Sequence, residues 1–249
     1  VDHLFKVISV DTDPTTNPTL RTSVVQLSND LKSGRTPEAL KNLNIQMIWA
    51  SPPCTPFSAA NTSRTDDEKS AQLKHGEELV KACMDIIETI KPKAWAIENP
   101  DSGPNRLALR EITKGIRSTA RTASYCHYQR DDRKATVIFT NVESFTPKDC
   151  RTEHCLTKSL LGRHTRTAQA GPTILRDGTK IPGTPKLDSQ KVPEALIQLW
   201  VNRAIAEFGI GTAKLTAYAV NTLSDESELG KQVRSLGEVP KAELIEAQE

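Results

Sequence analysis

Met47-Ile48-Trp49-Ala50-Ser51-Pro52-Pro53-Cys54-Thr55-Pro56-Phe57-Ser58 decides how the rest of the chain reads. A short apolar run bounded by turn residues predicts a buried strand. The two prolines end it, and Cys54 follows at its carboxyl end, where open α/β sheets keep their ligands. Working outward, the next stretch of this design is Ala94-Trp95-Ala96-Ile97-Glu98-Asn99-Pro100, a second buried run that closes on a carboxylate and a proline. Between them, Leu73, Leu79, Val80, Cys83, Ile86, Ile87 and Ile90 recur at helical spacing, so Glu68 to Ile90 is predicted as a helix, with Cys83 on its core face. A thiol at one strand exit and an acid at the next is the organising feature of the chain.

Each motif alone has an ordinary reading. A Cys after two prolines is commonly structural, and Glu-Asn-Pro is a common strand exit. Taken together, and in this order, they resemble the DNA (cytosine-5) methyltransferases, whose nucleophile lies in a Pro-Cys turn and whose acid lies in a Glu-Asn turn. The resemblance implies a three-layer Rossmann-like α/β sheet that uses S-adenosylmethionine as methyl donor, with a small irregular target-recognition insert. It implies catalytic roles for Cys54 and Glu98, and for an Arg at the start of a later strand that holds the acid. Arg133 is assigned that role, although Gln129, Arg130, Arg133 and Lys134 do not keep the family's Gln-x-Arg-x-Arg spacing. The implied partner is double-stranded DNA with the target base flipped out.

Phe5 to Asp13 is predicted as a strand ending in acids, and the resemblance gives Asp11 the ribose hydroxyls of the cofactor. Val24 to Leu27 is predicted as a further strand, with Asp30 after it toward the adenine; Pro52 completes the cofactor side. Ser58 and Arg64, in the polar loop after Cys54, and Arg130 and Lys134, in the basic cluster, are the candidate DNA contacts. A solvated loop is the plain alternative for Arg64.

The family's opening strand and Phe-x-Gly-x-Gly loop have no counterpart before Phe5, so the catalytic core, residues 1–141, is read as truncated at its amino end. Phe208-Gly209-Ile210-Gly211 is read as a helix-terminating glycine pair, not as that loop displaced. Residues 142–190 form the target-recognition segment, in which Thr173 to Pro182 is predicted as a hairpin around Asp177-Gly178. So short a segment implies a short or relaxed target. Residues 191–211 are the closing helix, with Pro193 at its start, and 212–249 are read as a peripheral charged tail.

Composition bounds the rest. With 249 residues, a formal charge of +2 and 26% charged residues, the chain suits a soluble protein of one α/β domain with an appendage, or of two small domains. No apolar run approaches the roughly 18 residues of a membrane span. Five cysteines, an odd and scattered set, argue against a secreted disulfide framework and for an intracellular, reducing compartment, nuclear if the source is eukaryotic. Cys150, His154, Cys155 and His164 crowd the insert. Zinc takes such ligands, with His154, Cys126 or His127 open as the fourth, but the Cys-x4-Cys-x8-His spacing is not a strong signature and no metal is assigned. Three other readings compete: a catalytically inactive DNA-binding fragment of a larger protein, a Cys–His hydrolase using Cys54 with His75 or His127, and an RNA-directed cytosine-5 enzyme of the same fold. Further domains of a longer polypeptide are expected partners.

Overall fold

A computed structural model describes residues 5–53, 65–101, 111, 119–168, 171–185, 188, 191–210 and 215–220. Cys54, Ser58 and Arg64 lie outside them. The main sheet contains β1 (Phe5–Asp11), β2 (Leu20–Arg21), β3 (Ile45–Ala50), β4 (Ala94–Pro100), β5 (Thr119–Ser124) and β6 (Ala135–Thr140). A hairpin, β7 (Thr173–Ile174) and β8 (Lys180–Ile181), lies apart, and β9 (Leu215–Val220) returns to the main sheet. Its strand order is β2-β1-β9-β3-β4-β6-β5. All pairings are parallel except those of β6, which runs antiparallel to both β4 and β5.

The strands read as expected from alternation. Along β4, Trp95 and Ile97 pack into the core on one face, and Ala94 and Ala96 into the core on the other. Along β3 the alternation slips: Ile45 and Ile48 share a face, because a register irregularity falls between Ile45 and Met47. Helices α1 (Val24–Lys32) and α2 (Asp66–Ile90) cover the first face. Helix α2 starts on a capping box: Thr65 Oγ1 accepts from the Glu68 N–H, and the Glu68 carboxylate accepts from the Thr65 N–H. Cys83 is buried on its core face, as predicted.

The second face is covered by the closing helix, Glu194–Phe208. Its Trp200 meets Trp49 edge-on at 5.4 Å between ring centroids. Trp200 also donates its indole N–H to Thr140 Oγ1 at 3.0 Å, so no buried donor is left unpaired there. The helix ends on Gly209 in the left-handed region, with φ +55°, its N–H bonded to the Ile205 carbonyl. Gly209 therefore terminates the helix, as read; Gly211 lies outside the described residues. A short helix, Leu156–Leu161, occurs in the insert, and the hairpin forms around Asp177-Gly178, with Gly178 at φ +82°.

Two expectations are corrected. Val24 to Leu27 is helix, not strand. Ser23 Oγ caps it by accepting the Gln26 N–H, and Val24, Leu27 and Leu31 recur at helical spacing toward the core. That cap and packing override the strand preference of the Val-Val pair. The strand of that region is the two-residue β2. Secondly, residues 215–220, expected in a peripheral tail, lie at the centre of the sheet. There β9 pairs in parallel with β1 on one side and β3 on the other. Two strands that would each have an open edge both gain a partner, which is why a short segment is drawn in.

Candidate functional site

From β9 the chain order runs outward in both directions, β1 then β2 on one side and β3 then β4 on the other. This is the topological switch of a doubly wound sheet, and its crevice lies beyond the carboxyl strand ends. Asp11 is the last residue of β1, and its Oδ1 accepts the Asp13 N–H at 2.9 Å. Ser51, Pro52 and Pro53 leave β3 on the far side of β9. Ser51 is held by the Trp49 indole, which donates to its Oγ at 2.9 Å.

Glu98 lies near the carboxyl end of β4 and is 4% exposed. Its Oε1 accepts the phenol hydroxyl of Tyr125 at 2.8 Å, and the hydroxyl of Thr136 also bonds to it. Both partners reach it by topology. Thr136 is the second residue of β6, antiparallel to β4, and Tyr125 begins the turn after β5, antiparallel to β6. Burial, and then the neighbouring Glu98 carboxylate, push the Tyr125 phenol well above its ordinary range, so it stays a donor at any working pH. The guanidinium of Arg130 and the ammonium of Lys134 lie over its ring, 5.5 and 5.0 Å from the centroid.

Asn99 joins the two motifs. Its amide Nδ2 donates to the carbonyl of Pro52 at 3.3 Å, tying the β4 exit to the turn that leads into Cys54. Asn99 is fully buried, and its Oδ1 has no partner among the described residues.

Other expected residues go elsewhere. Asp30 sits on α1, and its Oδ1 accepts from Arg35 Nη2 at 2.8 Å and Gln26 Nε2 at 3.0 Å. The Arg35 bond, and then the Gln26 bond, hold its carboxyl below the usual range. It closes no strand and does not join the crevice. Arg133 has an exposed side chain, and among the described residues it is Tyr125 and Thr136 that hold Glu98. Arg130, expected at DNA, is committed to Asp132, with its Nε and Nη2 both 2.8 Å from Oδ1. Asp132 is 1% exposed, so this is a buried ion pair, and Arg130 also donates to the carbonyls of Asp188 and Lys191. Tyr125 and Thr136 escaped notice because neither forms a motif with Glu98 along the chain. His75 is exposed on α2, beside Glu78. His127 is held at Nε2 by the Glu153 carbonyl at 2.8 Å.

A parallel doubly wound sheet with one antiparallel strand near its edge, an acid beside the switch and a buried acid two strands over is a Rossmann-like α/β architecture. Residues 5–102 match the model of the C-5 cytosine-specific DNA methylase family. A relative described as a probable DNA (cytosine-5)-methyltransferase, from Frog virus 3, is 32% identical over 119 residues. That match covers 45% of this chain and 53% of the relative, so the chain spans about half the length of the curated protein it matches. Among solved structures, a DNA modification methyltransferase encoded in an E. coli prophage is 16% identical, with a TM-score of 0.36. It covers 57% of this chain and 44% of its own. A DNA modification methylase of Thermus thermophilus is 12% identical, with a TM-score of 0.33, over 95% and 97%.

Proposed function

We propose that this chain transfers a methyl group from S-adenosylmethionine to carbon 5 of cytosine in double-stranded DNA, through a covalent Cys54 adduct at carbon 6. The observation that carries the reading is the Asn99-to-Pro52 bond beside the buried, doubly bonded Glu98. Two strand exits with the family's thiol and acid are joined by a side chain of the acid's own motif.

Carbon 5 of cytosine is a weak nucleophile. Addition of the Cys54 thiolate to carbon 6 turns the ring into an enamine that can attack an electrophilic methyl group. Glu98 faces ring nitrogen 3, supplies a proton as charge develops there and reads that edge of the base. Tyr125 and Thr136 hold the carboxyl group in position for this. After transfer, the carbon 5 proton leaves and the thiol is eliminated, restoring the aromatic ring. The target atoms are out of reach within a duplex, so the base is flipped out.

S-adenosylmethionine supplies the methyl on a sulfonium sulfur. The residues present fit it in part. Asp11, which ends β1 beside the switch, would take the ribose hydroxyls, and Pro52 would lie on the β3 side. Asp30 does not fit, because Arg35 and Gln26 occupy it. The family's glycine loop has no counterpart after β9 either, where Asn221 to Glu228 contain no glycine. The thiol chemistry requires a reducing, intracellular setting. The small insert favours a short target of about two to four base pairs, each good contact pair contributing about 1–3 kcal/mol of discrimination. Ser58, Arg64 and Lys134 remain the candidate DNA contacts.

Incubation with DNA and methyl-labelled cofactor tests the reading. Label is expected in 5-methylcytosine and is lost in Cys54→Ser, since a hydroxyl is a far poorer nucleophile. DNA carrying 5-fluorocytosine should trap a covalent complex, because fluorine cannot leave as the proton does. DNA binding without transfer or trapping would replace this reading with that of an inactive DNA-binding fragment.

A further inference from the structure

Away from Glu98, four soft ligand atoms converge. The Sγ atoms of Cys126, Cys150 and Cys155 and a ring nitrogen of His164 all lie within 4.8 Å of one another. His164 Nε2 is 3.5 Å from Cys150 Sγ and 3.4 Å from Cys155 Sγ. With Zn–S near 2.3 Å and Zn–N near 2.05 Å, a tetrahedral ion sets S···N at about 3.6 Å and S···S at about 3.8 Å. The cluster therefore has nearly the dimensions of a filled site. Cys150 and Cys155 are 1% and 3% exposed, and His154, which falls between them in sequence, is exposed and outside the cluster.

The ligands come from separate pieces of chain that other bonds hold in place. Cys126 lies in the turn after β5, beside Tyr125. The Cys150 N–H donates to Ser124 Oγ at 3.1 Å, the Ser124 hydroxyl donates to Asp149 Oδ1 at 2.8 Å, and the Ser124 N–H donates to the Lys148 carbonyl at 3.0 Å. Cys155 is the N-cap of the helix Leu156–Leu161, and Gly162 ends that helix at φ +70°, two residues before His164. This helix has no buried residue, and Leu156, Leu160 and Leu161 are 75%, 73% and 61% exposed. Six residues without an apolar seat do not hold a helix in water. Something other than hydrophobic packing must anchor both its ends, and its two ends carry Cys155 and His164.

We propose that Cys126, Cys150, Cys155 and His164 bind one zinc ion, which fastens the insert after β6 to the end of β5. Three thiolates and a neutral imidazole match the ion's preference for soft ligands in closed structural sites. A disulfide would engage only two of the three cysteines, and Cys126, Cys150 and Cys155 are all free thiols. The assignment is independent of the methyltransferase reading, since none of the four ligands takes part in that chemistry.

Elemental analysis of the 249-residue chain, purified without chelator, is expected to give one equivalent of zinc. Cobalt(II) replacement should give thiolate charge-transfer and tetrahedral d–d bands. Cys126→Ser, Cys155→Ser and His164→Ala should each lose most of the metal, whereas His154→Ala and Cys83→Ser keep it. His164→Cys, which supplies a fourth thiolate in the same place, should retain zinc with a shifted cobalt spectrum, so a folded variant remains informative if the others aggregate. Less than a tenth of an equivalent of zinc, with a thermal midpoint unchanged by a strong chelator, would overturn the proposal. So would stoichiometric iron, a disulfide among these cysteines, or loss of metal on replacing His154.

Discussion

Tyr125 donates its phenol hydroxyl to Glu98 Oε1 at 2.8 Å, although 27 residues separate them. The bond crosses from the turn after β5 to the exit of β4, with β6 lying between the two strands and contributing Thr136 to the same oxygen. An Arg was expected to hold this acid; among the described residues two neutral hydroxyls do so. Each hydroxyl orients the carboxyl group through one directional bond and places no formal charge beside it, as a guanidinium would.

Tyr125→Phe should therefore lower the rate of methyl transfer while leaving the fold and the KM for DNA largely unchanged. A hydrogen bond to a charged group is worth about 1.5–3 kcal/mol, which corresponds to about a ten- to hundredfold loss in kcat. Stability against pH provides a second readout. The Tyr125 phenol is raised above its unfolded value by burial and by Glu98, so its contribution is whole below about pH 10 and is lost as the pH rises toward the folded value. Thermal midpoints measured up the alkaline range should fall more steeply in the wild type than in Tyr125→Phe. Equal slopes would count against the burial of this phenol.

Glu98→Gln should fold normally, because the amide oxygen still accepts from Tyr125 and Thr136, yet it should lose nearly all methyl transfer. A thermal midpoint near wild type, with transfer reduced at least about a hundredfold, is expected, in line with the loss of a general acid. Retention of most activity would remove Glu98 from the chemistry.

Arg130→Ala should act on stability and not on DNA affinity. Removing one partner of a buried ion pair leaves the other charge uncompensated, at about 3–5 kcal/mol. Arg130→Met combined with Asp132→Leu should recover most of the loss, since an apolar pair of similar volume carries no buried charge. Thermal melts and DNA titrations at several salt concentrations would separate the two roles. A reduced salt dependence of binding with an unchanged midpoint would instead make Arg130 a phosphate contact.

Cys83 should resist alkylation. Burial pushes its thiol from 9.0 up to about 12, so at pH 8 its thiolate fraction is about a thousandfold below that of a free thiol. Mass-spectrometric mapping after iodoacetamide treatment should find Cys83 unmodified until the protein is unfolded. Labelling as fast as that of an exposed thiol would mean that α2 opens readily.

A chain ending after Ile210 should fail to unfold cooperatively. Without β9, the parallel edges of β1 and β3 that it pairs with would stand open in the middle of the sheet, and open edges invite association between chains. Loss of a single sharp transition, together with aggregation by light scattering, is the expected result. A monomer with an unchanged midpoint would show that β9 contributes nothing.

Local pattern carried a large part of this structure. The strands at Met47 to Ala50 and Ala94 to Pro100, the helix between them, the closing helix, the Asp177-Gly178 hairpin and the capping role of Gly209 all rest on periodicity and turn chemistry, which act within a few residues. The strand exits at Pro52 and Glu98 followed from the same rules. Contacts between segments distant in sequence did not. The preference of Val24 and Val25 for strand gave way to a Ser23 cap and to packing against the core. Arg133 yielded the acid to Tyr125 and Thr136 because antiparallel β6 brings the ends of β4 and β5 together. Cys126 joined Cys150, Cys155 and His164 across 24 residues, a span no ligand-spacing rule covers. The most distant decision was that of Leu215 to Val220: two open parallel edges with no other partner among the described residues drew a strand to the sheet's centre from beyond the closing helix, and such a demand exists only once the sheet has formed.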